Sequence, residues 1–215
     1  MKRVIIAGVG PGSKSCLTEE VKEAIDNSEV LIGSKRLIEE YTDKKTFYAV
    51  TAKDIIDIID NENANNYVVL MSGDTGFYSG AKKLYEVLNP ENYEVKSLCG
   101  ISSVVYFCGK LKTSWEDVCL QSTHGRSANL IGAVKAHEKT FTLLSAHGSV
   151  EALCKELKEY GLTDVTLHIG ERLGYPEEKI TTGMPGELEQ GSYDGLCVAL
   201  IENPHPFKGI RSCVE

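Results

Sequence analysis

Val4-Ile5-Ile6-Ala7 runs without interruption into Gly8-Val9-Gly10-Pro11-Gly12, and this junction decides the fold class. A continuous apolar run is what a strand buried on both faces requires, and the glycines supply the sharp bend that ends it. A helix is predicted over 18–27: Thr18 is a good N-cap, Glu19 and Glu20 favour the first turn, and Val21, Ala24 and Ile25 share a face. The alternation continues outward. A second short strand spans 29–33, Ser34 caps a helix to about Tyr41, and Thr51 caps another with Ile55, Ile56 and Ile59 on one side. Tyr67-Val68-Val69-Leu70-Met71-Ser72 reads as the strongest central strand, ending at Gly73-Asp74-Thr75-Gly76, with a helix from about Phe77 to Leu88. A strand over 93–98 precedes Gly100-Ile101-Ser102-Ser103 and an apolar helix to about Leu111. The first half is therefore expected to be a mostly parallel sheet covered by helices.

The polar segment Lys110–Ser114 interrupts this pattern and marks the expected domain boundary, giving an N-terminal α/β domain over 1–112 and a C-terminal α/β domain over 113–204. In the second half strands are predicted at 117–122, 140–144, 164–170, 178–182 and 195–201, and helices at 127–136 and 149–160. Gly174-Tyr175-Pro176 reads as a hairpin turn, so this sheet is expected to be mixed. Residues 205–215, with Pro206 and Gly209, read as an irregular tail.

The chain has 215 residues with a formal net charge of −8, which disfavours wholesale nucleic-acid binding while leaving room for local basic groups that hold small anions. Its beginning does not resemble a secretory signal, and no stretch approaches the roughly 20 apolar residues of a membrane helix. The seven cysteines are odd in number, lack zinc-type spacing and in part lie in apolar runs. They are read as reduced structural thiols of a cytoplasmic protein, with no metal site.

Gly8-Val9-Gly10-Pro11-Gly12-Ser13-Lys14-Ser15 admits three readings. A nucleotide-hydrolase phosphate loop needs glycine before the lysine, where this chain has Ser13, and Pro11 removes a backbone donor. A dinucleotide motif again fails at Ser13, and the ribose-binding acid expected at the end of the second strand is missing. The third reading is a tight strand-to-helix turn. Two further turns, at Gly73–Gly76 and at Gly100–Ser103, place three small-residue loops at strand ends, the edge where open α/β sheets bind ligands. Small residues let a flat ligand approach the backbone, and Asp74 can accept its hydrogen bonds or favour a nearby cation. S-adenosylmethionine, an adenosine carrying a sulfonium, offers both features.

With Gly8-Val9-Gly10-Pro11-Gly12, Ser72-Gly73-Asp74-Thr75-Gly76-Phe77-Tyr78-Ser79 and Gly100-Ile101-Ser102-Ser103 in this order, the sequence resembles the tetrapyrrole (corrin and porphyrin) methylase family over about residues 3–203. Thr75 and Cys99 stand where the family commonly has proline. The resemblance implies two α/β domains with the active site in the cleft between them, S-adenosylmethionine as methyl donor and S-adenosylhomocysteine as product. It implies cofactor contacts from Val9, Gly73, Asp74, Phe77, Tyr78, Ile101, Ser102 and Ser103, completed by Leu144, Arg172 and Leu173. It also implies substrate contacts from Gly10, Pro11, Gly12 and Ser13. His124 and Arg126 are candidates for a substrate carboxylate, since arginine pairs with one bidentately, and Lys35 and Arg36 are similar candidates.

Ile32–Leu37, Leu120–Arg126 and Gly170–Ile180 are most similar to the branch of the family that methylates C5 of a late cobalt-corrin intermediate, cobalt-precorrin-7, in cobalamin synthesis. Because the chain ends at Glu215, it is similar to the stand-alone form, with C15 methylation and decarboxylation on a separate polypeptide. The resemblance further implies a homodimer. Methyl transfer to a ring carbon is an in-line displacement that disperses charge, so positioning is expected to dominate and no residue is assigned as an indispensable base. The competing classes are a relative acting at another precorrin position or on a protein side chain or RNA, a dinucleotide-binding oxidoreductase, and a non-catalytic scaffold.

Overall fold

The computed structural model describes residues 1–122, 129–144 and 146–207. The chain divides into two compact units, Met1–Tyr106 and Phe107–Glu215. The first contains β1 (Lys2–Gly8), α1 (Glu19–Asp26), β2 (Val30–Gly33), α2 (Lys35–Ile38), β3 (Lys45–Tyr48), α3 (Ala52–Asn61), β4 (Asn66–Met71), α4 (Ala81–Val87) and β5 (Tyr93–Leu98). Helix α5 (Ser103–Leu111) contains the division, which falls ahead of the polar Lys110–Ser114 segment.

The strands of the first unit form one five-stranded sheet in the order β3-β2-β4-β1-β5, and every pairing is parallel. Alternate residues of the central strands serve opposite faces, as the two-residue period of a strand requires. Val4, Ile6, Val69 and Ile32 pack with Ile55 and Ile59 of α3 and Leu84 of α4. Ile5, Ala7, Val68 and Leu31 pack with Val21 and Ile25 of α1 and Leu37 and Ile38 of α2. Burial on both faces is the physical reason these strands read as unbroken apolar runs.

The second unit contains β6 (Cys119–Ser122), α6 (Leu130–Ala136), β7 (Lys139–Leu143), α7 (Ser149–Glu159), β8 (Thr166–Glu171), β9 (Lys179–Gly183), α8 (Pro185–Leu188) and β10 (Cys197–Glu202). Its sheet is mixed, in the order β6-β7-β10-β8-β9: β6 and β7 are parallel, and the other pairs are antiparallel. The β8–β9 hairpin encloses Gly174-Tyr175-Pro176, in agreement with the turn expected there. Leu153 and Leu157 of α7 and Val134 of α6 cover Leu167, Ile169, Ala199 and Ile201 on one face.

Several boundaries differ from expectation. Phe77–Gly80 is irregular and α4 begins only at Ala81, because Tyr78 adopts a left-handed φ of 49°, incompatible with a helix. Helix α2 is a single turn rather than a helix to Tyr41. Strand β3 had no signal, since its four residues are all exposed or half-buried, with Phe47 packed against the core.

On the sheet's amino-terminal side, the Tyr93 hydroxyl donates to the Asp60 carboxylate at the end of α3. That bond, reinforced by burial and by the Asp60 charge, pushes the Tyr93 phenol from its ordinary 10 up to about 12. A pKa raised in the folded state contributes stability that is fully present below pH 10 and is lost as pH rises through about 12. Denaturant midpoints measured from pH 9 upward should therefore fall more steeply for the native chain than for Tyr93→Phe. Parallel curves would show that the bond has no such weight.

Candidate active site

Strands β1, β4 and β5 are parallel and in register, Gly8 opposite Met71 and Ala7 opposite Leu98, so they end at one level of the sheet. The three small-residue turns leave from that edge and meet there. Gly10 and Gly73 form an isolated bridge: Gly10 N–H donates to Gly73 O at 3.1 Å, and Gly73 N–H donates to Gly10 O at 2.8 Å. Val9 N–H donates to Met71 O at 2.9 Å. The third turn closes against both. A Cβ on Gly100 would lie 2.4 Å from the carbonyl oxygens of Gly8 and Gly73, and a Cβ on Gly8 would lie 2.7 Å from Gly100 N. Glycine is required at Gly8 and Gly100 because three backbones cross with no space for a side chain.

Asp74 ties the second turn to the third. One carboxylate oxygen accepts the Gly76 N–H at 2.7 Å, and the other accepts the Gly100 N–H at 3.1 Å. Asx-type bonding of this kind fixes a turn without help from secondary structure. Ser102 is buried and caps α5, its hydroxyl accepting from Val105 N–H at 3.4 Å, while Ser103 begins the helix. Ile101 is half-buried between them. Gly73 has a φ of +69°, and its missing side chain faces the Ser102 Cα and Ser103 N at 3.9 and 4.0 Å. The structure thus brings Val9, Gly73, Asp74, Ile101, Ser102 and Ser103 together at one edge.

Phe77 and Tyr78 follow the second turn with their rings edge to face, centroids 5.0 Å apart, and Tyr78 is exposed. In the first loop Gly10 has a φ of +73°, Pro11 is buried and Gly12 is half-buried. The Ser13 hydroxyl caps the short turn Lys14–Cys16, accepting from Ser15 N–H at 3.2 Å. Of the loop's amides, Val9 and Gly10 N–H go to the neighbouring turn, Ser15 N–H goes to Ser13 Oγ, and Pro11 has none. A phosphate cradle needs amides directed outward, and those of Val9, Gly10 and Ser15 are engaged within the protein.

Within the second unit, Leu144 is buried in the helix-side core and its N–H donates to Cys197 O at 3.1 Å. Leu173 is buried beside Gly170. Arg172 has a left-handed φ of 45°, and its guanidinium lies 3.4 Å from the Glu177 carboxylate, 3.6 Å from that of Asp194 and over the Tyr175 ring. Two carboxylates and a ring thus surround that side chain, while its buried Nε makes no hydrogen bond. Its backbone is held in a conformation a non-glycine residue keeps only when its neighbours enforce it. His124 and Arg126 lie outside the described residues. Among the described residues no group of three or more His, Cys, Asp or Glu could hold a metal ion, and no helix is long and apolar enough to cross a membrane.

One further contact at this edge joins residues far apart in the chain. Arg36, in α2, donates from Nη2 to the Ser72 hydroxyl at 2.7 Å, immediately before the Gly73 turn. The adjacency of β2 and β4 in the sheet creates it, and adjacency is not written in the local sequence.

A profile of the Tetrapyrrole (Corrin/Porphyrin) Methylases matches residues 3–189. The chain is 30% identical over 209 residues to a probable cobalt-precorrin-7 C(5)-methyltransferase of Methanocaldococcus jannaschii, covering 93% of this chain and 97% of the relative. It is 27% identical over 200 residues to the cobalt-precorrin-7 C(5)-methyltransferase of Salmonella typhimurium, covering 92% of this chain and 98% of the relative. Uroporphyrin-III C-methyltransferase from Thermus thermophilus, solved in complex with S-adenosylhomocysteine, shares the fold: TM-score 0.75, 15% identity, 93% of this chain and 92% of that one. Together with the three-turn edge, these matches establish that the chain belongs to the tetrapyrrole methylase family.

Proposed function

We propose that this chain is an S-adenosylmethionine-dependent C-methyltransferase of cobalamin biosynthesis that methylates C5 of cobalt-precorrin-7 to give cobalt-precorrin-8. The observation that carries the reading is the meeting of the Gly8, Gly73 and Gly100 turns at one sheet edge, with carbonyl oxygens so close that a single methyl group would fill the space between them. Such an edge suits the donor: it lets a flat ligand approach the backbone without side-chain bulk. The matched relatives named for this reaction span nearly their whole length here, which supports the assignment to C5.

When bound, S-adenosylmethionine supplies an electrophilic methyl group on a sulfonium. The chain's own task is then to hold and orient. Val9, Gly73, Asp74, Phe77, Tyr78 and Ile101–Ser103 would contact the donor from the first unit, and Leu144, Arg172 and Leu173 are assigned to it from the second. Gly10–Ser13 would face the macrocycle, as would His124 and Arg126. Asp74 keeps two turns in register while its remaining lone pairs stay available to a ligand. Orientation of two reactants can contribute roughly 7–11 kcal/mol to catalysis, against about 10²–10⁴-fold for a positioned base. No base is therefore needed to account for turnover, and Tyr78→Phe is expected to keep turnover within about tenfold of the native rate. A loss beyond about 10⁴-fold with donor affinity intact would assign the hydroxyl a chemical role.

On the same reading the enzyme is a cytoplasmic homodimer whose functional partner is a separate C15-methylating, decarboxylating enzyme. The six described cysteines carry free thiols, as a reducing compartment allows, and sedimentation equilibrium tests the dimer. The reaction itself is tested by anaerobic incubation with cobalt-precorrin-7 and a ¹³C-methyl donor, followed by carbon mapping. Label at C5 is expected; label at another ring carbon would move the chain to a different member activity.

A further inference from the structure

The second unit buries a carboxylate where its core would accept an apolar side chain. Leu167, Ile169 and Glu171 alternate along β8 and so share the face that α6 and α7 cover, and Glu171 is only 6% exposed. Opposite it across the sheet stands Cys197, also buried. Glu171 Oε1 accepts the Asp194 N–H at 3.0 Å. Its Oε2 is shut off from solvent and makes no hydrogen bond, with the Lys179 ammonium at 3.5 Å. A buried carboxylate so sparsely bonded costs stability that an apolar residue of similar size would not. Such an oxygen is an exception among buried polar groups, and the cost points to a purpose other than holding the core.

The bond to Asp194 secures the loop 193–196, and that loop in turn secures the segments of this unit assigned to the donor. Asp194 Oδ1 accepts the Leu196 N–H at 2.7 Å, which closes the loop on itself. Leu196 O then accepts the Arg172 N–H at 2.9 Å, and the next carbonyl, Cys197 O, accepts the Leu144 N–H at 3.1 Å. Asp194 Oδ2 lies 3.6 Å from the Arg172 guanidinium, and Tyr193 O lies 3.2 Å from His147 Nδ1. Arg172 depends on this support, because a φ of 45° has to be enforced from outside. Glu171 therefore reaches Arg172 twice, as its chain neighbour and through the loop.

We propose that Glu171 is a positioning residue: through the Asp194 amide it fixes the loop that presents Arg172 and Leu144 to the methyl donor. This rests on the methyltransferase reading above. The test measures S-adenosylhomocysteine affinity of the full chain by calorimetry, with the binding stoichiometry giving the folded fraction. Glu171→Met keeps the bulk but loses the acceptor, and should bind about tenfold to a hundredfold more weakly. Glu171→Gln keeps an acceptor oxygen and should stay within about threefold of the native chain. Glu171→Asp keeps the charge but draws it back from the amide; it should weaken as Glu171→Met does, and it carries the test should Glu171→Met fail to fold. Lys179→Ala removes the neighbouring ammonium and leaves the bond, so it should stay within about threefold. Native affinity in folded Glu171→Met or Glu171→Asp overturns the proposal. So does Glu171→Gln or Lys179→Ala binding as weakly as Glu171→Met. A native chain that does not bind S-adenosylhomocysteine fails the methyltransferase reading and the inference with it, whereas the variant pattern judges Glu171 alone.

Discussion

Gly100→Ala is expected to lower methyl transfer at least about 100-fold and to destabilise the first unit by about 3 kcal/mol or more. The cause is steric. The new Cβ would stand 2.4 Å from two carbonyl oxygens, Gly8 O and Gly73 O, and both belong to backbone that cannot rotate away. The turns must separate, and a displacement near 1 Å is enough to misalign a reaction governed by positioning. Two controls isolate the cause. Gly73→Ala has room for its methyl but would sit at a φ of +69°, so it should show only the left-handed penalty of about 1–2 kcal/mol. Gly109→Ala, within α5 and with nothing within 4 Å, should leave activity unchanged and stabilise by roughly 0.5–1 kcal/mol. Denaturant melts and initial rates on the three variants check the ranking; equal effects at Gly100 and Gly109 would remove the steric account.

Asp74→Ala is expected to cost about 1.5–3 kcal/mol and to weaken S-adenosylhomocysteine binding by about tenfold to a hundredfold. The carboxylate satisfies the Gly76 and Gly100 amides at once, and the second bond is the side-chain link between two of the three turns. Asp74→Asn retains one acceptor oxygen and should lose less of both. Affinity for the product nucleotide, measured by calorimetry beside a denaturant melt, separates the outcomes: full affinity in a destabilised Asp74→Ala protein would make the carboxylate purely structural.

Much of this was legible in the residues, and the exceptions have physical causes. Unbroken apolar runs such as Val4–Ala7 and Tyr67–Met71 announced a sheet covered on both faces, and the structure shows it parallel throughout the first unit. The hairpin at Gly174–Pro176 announced the mixed sheet of the second. Strand β3 and helix α8, four residues each, are too short to display a period and are held by their neighbours. The three turns could be found by composition, because glycine at a strand end is a local signal. That they touch could not, since contact depends on the order β4-β1-β5 across the sheet. For the same reason Asp74 was legible as a polar turn residue, whereas its bond to an amide 26 positions later was not. Arg36 was legible as a basic residue after a strand, but its anchoring on Ser72 needed the β2–β4 pairing.

The central claim is that three backbone turns form one seat for a sulfonium nucleoside. Calorimetric titration of the native chain with S-adenosylhomocysteine, NAD and ATP in parallel tests it most directly. Micromolar or tighter binding of S-adenosylhomocysteine alone, lost in Gly100→Ala, is the predicted result. Binding of NAD or ATP in its place, or of none of the three, would contradict it.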